Sequence, residues 1–374
     1  MTNQELTYWL SFALMSGGVS VRRRNELYKA AYLHQPKLSI IDLFEGEEYW
    51  DALGMTDAER ECFRATRAEL VNNAFLVESL LTQGYKLLPV HSDIYPKLLR
   101  ENLGTDAPIV LFAKGNIDLL QRQSLAIVGS RAATETSLAF TRRIAERAAL
   151  SGQVVVSGFA KGVDQVALDA ALQAGGGSIV VLPQGIQTAS SAYKRYYQAL
   201  LAGQLLFVSQ FAPKAPWQSM LAMMRNRTIY GLCTQVYIAQ SDAKGGTWEG
   251  AKDGLRRGKQ QIFVRYPQPE EQNANIILIQ RGATAVDSEG MPIALPDTTG
   301  AVSEIELTGE GVLELLRRHP GGLSLKELRA YISDTRSDTA FRKFLESLPQ
   351  IVVAKKKGKN QYYAEGLFEM ELAQ

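Results

Sequence analysis

The sequence has few of the residues that mark the most easily recognised classes of protein. It contains only two cysteines, Cys62 and Cys233, and three histidines, His34, His91 and His319. Two cysteines cannot form a disulfide framework, and no Cys or His spacing fits a metal site. No apolar run approaches the roughly 20 residues that a membrane-spanning helix needs, and the N-terminus lacks a signal-type segment. We therefore expect a cytoplasmic protein with no membrane segment and no bound metal.

Charge and nucleotide-binding motifs are also scarce. The formal net charge is +2, so a polyanion could be bound only by local clusters of Lys and Arg. The dinucleotide fingerprint G-x-G-x-x-G does not follow either of the first two strands predicted below, and the phosphate-binding motif G-x-x-x-x-G-K-[ST] is absent. No G-x-S-x-G motif stands at a strand-to-helix turn. These absences predict no NAD or ATP cofactor, and a binding protein that is not an enzyme.

Six short β-branched runs alternate with helical patterns in the middle of the chain. Because these runs are apolar on both faces, they predict a parallel sheet covered by helices on both sides. The expected fold is α/β, a Rossmann-like doubly wound parallel sheet. The runs are SLAIV (124–128), QVVVS (153–157), SIVVL (178–182), LLFVS (205–209), QVYIAQ (235–240) and QQIFV (260–264).

The flanking segments predict two further domains. Apolar residues at helical spacing predict a helical (SAM or helix-hairpin-like) domain over residues 1–82, followed by the Rossmann-like domain over 83–290. A loop-rich region encloses the apolar segment IILIQ (276–280), and a linker is expected at 291–304. Three helical patterns and a β-rich pair of runs then predict a winged-helix domain over 305–374.

Basic residues in the flanking domains leave two interpretations open. Arg22, Arg23 and Arg24 start a helix, which suits either a backbone-binding helix-turn-helix variant or a solvated helix face. In the C-terminal unit, 11 basic and 11 acidic residues cancel. The basic residues of its expected wing tip and third helix could contact phosphate, while a protein-interaction role for the domain is equally open. They are Lys355, Lys356, Lys357, Lys359, Arg342 and Lys343.

The loops that follow the predicted strands are the place to expect a ligand, because helix N-termini with free N–H groups meet at that edge of the sheet. The turn Gly129-Ser130-Arg131 follows the first strand, and Gly158 to Gly162, with Lys161, follows the second. Gln184-Gly185 follows the third, and Arg225 and Arg227 are expected at the start of another helix. A glycine after a strand is by itself usually structural, and Asp164 is expected to complement its helix dipole. Repeated glycine and cation turns on one edge favour an extended polyanion.

The sequence resembles the DNA-processing protein A (DprA/Smf) family as a divergent member. The resemblance covers about residues 85–290 and depends on seven segments in one order. They are YPKLL near Tyr95, APIVLFAKGN (107–116), AIVGSR (126–131), VVSGFAKGVDQVALDAAL (155–172), GGSIVVLPQGI (176–186), RNRTIYGL (225–232) and NIILIQRGATAV (275–286).

The resemblance implies a non-enzymatic protein that binds single-stranded DNA at the Rossmann-like domain, often as a homodimer. Such proteins protect or present the strand and load the recombinase RecA in natural transformation (competence); recombination and phage defence are also open. With the turns above, it predicts phosphate contacts from amides and arginines, and base stacking by Phe159. The expected DNA-binding residues are Gly129, Ser130, Arg131, Ser157, Gly158, Phe159, Ala160, Lys161, Gly162, Gly185, Arg225, Asn226 and Arg227.

Three segments depart from the family pattern, and the third of them supports an alternative. Val166-Ala167-Leu168 replaces an Ala-His pair, and APWQSMLAMM (215–224) replaces a Pro-rich approach. The turn KGGTWEGA (244–251) resembles the Gly-Gly-x-Gly-Thr-x-x-Glu signature of LOG-type (SLOG) nucleotide-processing proteins. It implies a pocket for a free nucleotide or a nucleotide-derived signal, with Glu249 as anchor or acid and Trp248 either stacking a base or lying in the core. The pocket residues would be Gly245, Gly246, Thr247 and Glu249.

Overall fold

The computed structural model describes residues 1–294, 309–317, 322–325, 328–329, 337–356 and 359–365. The chain divides into two compact units, Met1–Ile293 and Ala294–Gln374, and each is described by itself. None of the helices in the described ranges is long and apolar enough to cross a membrane.

The first unit begins with five helices, as the helical spacing predicted. The N-cap side chains of α1 to α4 each accept a hydrogen bond from a backbone N–H in the first turn, and three of these caps are reciprocal capping boxes. Aromatic side chains from α1, α3 and α4 pack together, with Phe12, Phe44 and Phe63 fully buried. The helices are α1 (Asn3–Leu14), α2 (Val21–Leu33), α3 (Ile40–Glu45), α4 (Asp57–Ala68) and α5 (Leu70–Thr82).

A nine-stranded sheet follows, and seven of its strands run parallel. The strand order is β1-β2-β6-β5-β4-β3-β7-β8-β9; β1 and β2 are antiparallel to each other, and β2 is antiparallel to β6. The sheet thus extends beyond the six predicted strands on both edges. The strands are β1 (Lys86–Pro89), β2 (Val110–Gly115), β3 (Ser124–Val128), β4 (Val154–Ser157), β5 (Ser178–Val181), β6 (Leu205–Ser209), β7 (Gln235–Ile238), β8 (Gln261–Arg265) and β9 (Thr284–Val286).

Helices cover both faces of this sheet, which confirms the doubly wound α/β fold. Successive side chains of β3 point to opposite faces: Leu125 and Ile127 pack with α7 and α8, while Ala126 and Val128 join the larger core on the other face. IILIQ, placed among loops, is helical. The helices are α6 (Lys97–Leu103), α7 (Glu135–Leu150), α8 (Val163–Gln173), α9 (Ser190–Arg195), α10 (Tyr197–Leu201), α11 (Ser219–Gly231), α12 (Gly246–Arg257) and α13 (Asn275–Gln280), with 3₁₀ turns at Glu47–Tyr49, Gly104–Asp106, Ile117–Gln121 and Ile186–Thr188.

The strand order reverses at β3, and this reversal positions the site. After β3 the chain crosses to β4 on one side, while β7 pairs with β3 on the other side. The loops after β3 and β7 therefore lead in opposite directions and leave a crevice at the carboxyl ends of the two strands.

In the described part of the second unit, helices and a three-stranded antiparallel sheet enclose a small core. The sheet order is β10-β12-β11, and β11 and β12 form the predicted hairpin. Val312, Leu316, Phe341, Leu345 and Tyr362 are fully buried in the core. The elements are α14 (Gly309–Arg317), β10 (Leu323–Ser324), α15 (Asp338–Glu346), β11 (Ile351–Lys356) and β12 (Lys359–Ala364).

The winged-helix assignment of this unit stays a prediction. Most of the predicted helix SLKELRAYI (324–332) lies outside the described residues. Arg342 and Lys343 lie on α15. In the predicted wing tip, Lys357 lies outside the described residues, and so do the side chains of Lys355, Lys356 and Lys359. The predicted boundaries of the three domains and the linker likewise stay predictions.

Candidate nucleic-acid interface

Two adjoining cavities lie over the carboxyl ends of the central strands. The larger, of about 500 Å³, lies between the loops after β3 and β7. The smaller, of about 160 Å³, lies over the turns after β4 and β5. Both cavities are lined by Arg131, Ala160, Trp217, Ala222 and Arg225. Because they share this wall, we treat them as one feature, the strand-end groove.

Most of the predicted site residues meet in this groove. From the DNA-binding set, Gly129, Ser130, Arg131, Gly158, Phe159, Ala160, Arg225 and Asn226 line it, and Gly245, Gly246 and Thr247 of the alternative pocket line the larger cavity. Lys161 is exposed on the turn after β4. Ser157 is buried below the groove, where its hydroxyl donates to the carbonyl of Ile127 at 2.7 Å. Gly185 is buried against the carbonyls of Ala212 and Pro213.

The turn after β3 is held across the switch point by one residue, Gln240. The backbone N–H of Ser130 donates to the carbonyl of Gln240 at 2.9 Å, and the N–H of Thr134 donates to Oε1 of Gln240 at 2.9 Å. Arg131 lies between these two attachments and is exposed. Gln240 therefore positions the turn that carries Arg131. The sequence signal for this role was the position of Gln240 at the end of the predicted strand QVYIAQ, which lies next to β3.

The turn after β4 packs closely on the rest of the site. A Cβ atom on Gly158 would lie 2.0 Å from Nη1 of Arg225, so this glycine makes room for the guanidinium. Gly162 has a φ of +81°, and its Cβ would lie 2.6 Å from the carbonyl oxygen of Ser130. At each of these two positions, a residue with a Cβ atom would be strained, so glycine is required. The glycines are thus explained by packing, whatever they contact in a ligand.

Phe159, the expected stacking residue, is held against the protein. Its φ is +63°, in the left-handed region that bulky residues rarely adopt. The ring packs edge-on against Tyr196, with centroids 5.9 Å apart, and against Phe207 at 6.2 Å. The side chain is half-buried as a result, and its edge-to-face contacts anchor the turn.

Arg225 is buried beneath the groove and does not extend into solvent. Its Nη1 donates to the carbonyl of Val181 at 2.6 Å, and its Nη2 lies 3.9 Å from Oδ2 of Asp164. Burial lowers the pKa of Arg225 to about 10, opposed by the charge of Asp164, and the positive charge of Arg131 lowers it further. Both arginines of the RNR segment lie in the middle of α11, so their predicted place at the start of a helix is wrong.

Asp164 lies in the first turn of α8, as predicted, and also pairs with Arg225. Burial raises the pKa of its carboxyl group, while the positive charge of Arg225 and the N–H of Ala160 oppose that increase. The N–H of Ala160 donates to Oδ2 at 3.3 Å. This amide of the turn therefore faces inward and is engaged by the protein itself. The sequence pattern indicated the dipole interaction and missed the ion pair, because the partner comes from a helix 61 positions later.

The residues of the alternative nucleotide pocket, which follow β7, lie in two different cavities. Gly245, Gly246 and Thr247 line the larger cavity. Trp248 is buried in the core, the second of its two expected outcomes. Glu249 is exposed, pairs with Lys252 at 3.1 Å and lines a different cavity of about 700 Å³ between α11 and α12.

Arg227 is also placed away from the groove. It lines the same outer cavity as Glu249 and forms an ion pair with Asp253 at 3.2 Å. By contrast, Asn226 connects α11 with the groove, because its Nδ2 donates to the carbonyl of Gly246 at 2.9 Å.

The electrostatics of the strand-end groove favour an anion. Arg131 and Lys244 line it and are exposed, and neither forms an ion pair or side-chain hydrogen bond with any residue that the structure describes. Asp242 is the exposed carboxylate on the same wall. Helices α8 and α12 begin at this edge without a side-chain cap, so their N-terminal dipole ends add positive potential. The groove can therefore hold phosphate groups.

The fold and the groove define a class: a doubly wound α/β protein with a cation-lined groove at the switch point of its sheet. The family model described as DNA recombination-mediator protein A matches residues 86–293, and the chain belongs to this family. This membership confirms the family resemblance read from the seven segments.

Individual relatives are similar over parts of their length. The chain is 32% identical to DNA processing protein DprA of Streptococcus pneumoniae over 178 residues, 47% of this chain and 62% of the relative. It is 34% identical to Protein Smf of Escherichia coli over 184 residues, 49% of either chain. The chain thus spans less than two thirds of these relatives. The X-ray structure of DprA from Streptococcus pneumoniae is similar in fold, with a TM-score of 0.59 and 26% identity, covering 77% of this chain and 96% of that chain.

Proposed function

We propose that this protein binds single-stranded DNA in the strand-end groove, as a DNA-processing protein of the DprA type that is not itself an enzyme. The observation that carries the proposal is the position of Arg131 and Lys244. Both are exposed cations without a carboxylate partner among the described residues, and both line one groove that crosses several strand ends. Such a groove suits successive phosphates of a strand better than it suits one compact cofactor.

The family relationship supports a more specific role. Relatives carry the description DNA processing protein, and the matched family is described as a recombination mediator. We infer that this chain protects or presents single-stranded DNA and delivers it to a RecA-type recombinase, as a cytoplasmic homodimer. Natural transformation, general recombination and phage defence are the processes in which this role would be used.

A second candidate function is the binding of a free nucleotide. Gly245 to Thr247 and Gly129 to Arg131 lie on the same cavity of about 500 Å³, a volume within the range of small-molecule sites. Glu249, the proposed anchor or acid, lines another cavity. For the nucleotide alternative, the glycine-rich turn lines the expected cavity, but the expected carboxylate of Glu249 does not.

Thermal unfolding with added ligands distinguishes the two functions. A ligand that binds the native state at 100 times its Kd stabilises it by about 2.7 kcal/mol. We expect a single-stranded oligonucleotide of deoxythymidine to raise the melting temperature, and free mono- and dinucleotides at equal nucleotide concentration to leave it unchanged. Stabilisation by a free nucleotide alone would instead support the sensor or nucleotide-processing function.

A further inference from the structure

Trp217 is an exposed aromatic side chain at the centre of the strand-end groove. It lies in the loop directly before α11 and lines both cavities, as Arg131 also does. Its exposed fraction is 51%, and Met223, at 49%, lines the larger cavity beside it. An indole this exposed, on a wall shared with an arginine, presents a large apolar surface beside a phosphate-binding charge.

We propose that Trp217 stacks on a base of the bound single-stranded DNA, taking the role that the sequence assigned to Phe159. This inference rests on the proposed function and identifies a base-contacting residue within it. Single-stranded nucleic acids are commonly held by cations on the backbone and aromatic rings on the bases. In this groove Arg131 supplies the first and Trp217 the second.

Phe159 is poorly placed for stacking because its ring is already engaged. It packs edge-on against Tyr196 and Phe207 and is half-buried. A base could reach it only by displacing these contacts. Trp217, in contrast, takes part in no ring pair or cation–π contact with another described residue, so its ring is available to a ligand.

The distribution of tryptophans makes the proposal directly measurable. The chain has four, and Trp9, Trp50 and Trp248 have exposed fractions of 2%, 1% and 5%. Quenching of tryptophan emission by acrylamide in the free protein should therefore come mainly from Trp217. A base that stacks on this ring would quench its emission directly and would also shield it from acrylamide.

The experiment compares wild type with Trp217→Ala and Trp217→Phe on a fluorescently labelled deoxythymidine oligonucleotide. Stacking on one aromatic side chain contributes about 1–3 kcal/mol, so Trp217→Ala should weaken binding about 5- to 150-fold. Trp217→Phe should retain most of the affinity, because it keeps a π-face. On an oligonucleotide of the same length with abasic sites throughout, wild type and Trp217→Ala should bind alike. Emission from the three buried tryptophans, Trp9, Trp50 and Trp248, serves as the control that each variant is folded.

The outcomes separate this proposal from the proposed function. Wild-type affinity in Trp217→Ala, with no shielding of Trp217 by the oligonucleotide, would overturn the stacking role while leaving DNA binding in place. An equal loss on normal and abasic strands would also overturn it, because the side chain would then act without a base. If the wild-type protein binds no oligonucleotide, the proposed function and this inference both fail.

Discussion

The buried pair of Asp164 and Arg225 gives the sharpest prediction about stability. At the 3.9 Å between Nη2 and Oδ2, two unit charges attract by about 4 kcal/mol at an effective dielectric constant of about 20. Both side chains are less than 10% exposed, so loss of one partner leaves an uncompensated buried charge. Asp164→Asn and Arg225→Met should each lower the free energy of unfolding by about 3–5 kcal/mol. The double variant should lose about 2–4 kcal/mol less than the sum of the two.

Urea unfolding followed by tryptophan emission measures this coupling. All four tryptophans lie within Met1–Ile293, so the signal reports the unfolding of that unit alone. Asparagine keeps an oxygen that can accept from the N–H of Ala160, and methionine keeps most of the buried volume, so the cycle isolates the charges. The interpretation requires equal slopes of free energy against urea in all four proteins. Additivity of the two single losses within about 0.5 kcal/mol would refute the pairing.

Two further predictions concern backbone geometry and pH. Gly162→Ala should lower the free energy of unfolding by about 2–4 kcal/mol, since its Cβ would overlap the Ser130 carbonyl oxygen at a φ of +81°. The control Gly175→Ala, at a φ of +78° but with open space around its Cβ, should lower it by only about 1 kcal/mol. Equal losses for the two variants in urea unfolding would contradict the steric argument. Burial lowers the pKa of His91 from 6.5 to about 4. As the pH falls from 6.5 towards 4, the unfolded chain therefore binds a proton at His91 that the native protein does not bind. The free energy of unfolding decreases over this range as a result. His91→Phe should make this decrease smaller by about 1–2 kcal/mol, after allowance for the partial exposure of the side chain. The measurement is the free energy of urea unfolding at pH 7 and at pH 4. If the difference between the two pH values is the same in wild type and variant, His91 is not its source.

The sequence predicted the central sheet well because its strands are buried on both faces. Each of the six β-branched runs contains a strand, and the ends agree within one or two residues. The outer strands β1, β2 and β9 were not predicted. Two of them are only three or four residues long, and so short a run carries little periodicity. Their place in the sheet depends on pairing with residues distant in sequence.

The location of the site was predictable, and the orientation of its side chains was not. The rule that ligands bind beyond the carboxyl ends of parallel strands places the glycine turns together. Burial of Arg225 depends on how α11 packs over β5, which local sequence does not encode. The same applies to Phe159, whose left-handed backbone turns the ring toward Tyr196. Prediction from sequence therefore identified the groove and most of its lining residues, but it could not show that Arg225 is buried or that the ring of Phe159 packs against the protein.

The dependence of DNA binding on salt tests the central claim most directly. Each phosphate contact on a single strand contributes a slope of about −0.7 to log K against log salt concentration. Arg131→Ala/Lys244→Ala, which removes the two exposed cations that line the groove, should bind a deoxythymidine oligonucleotide much more weakly, with a slope reduced in magnitude by about 1.4. The control Lys86→Ala/Lys97→Ala removes the same charge from exposed positions outside the groove and should behave like wild type. Equal affinity and slope in wild type and both variants would contradict DNA binding in the strand-end groove.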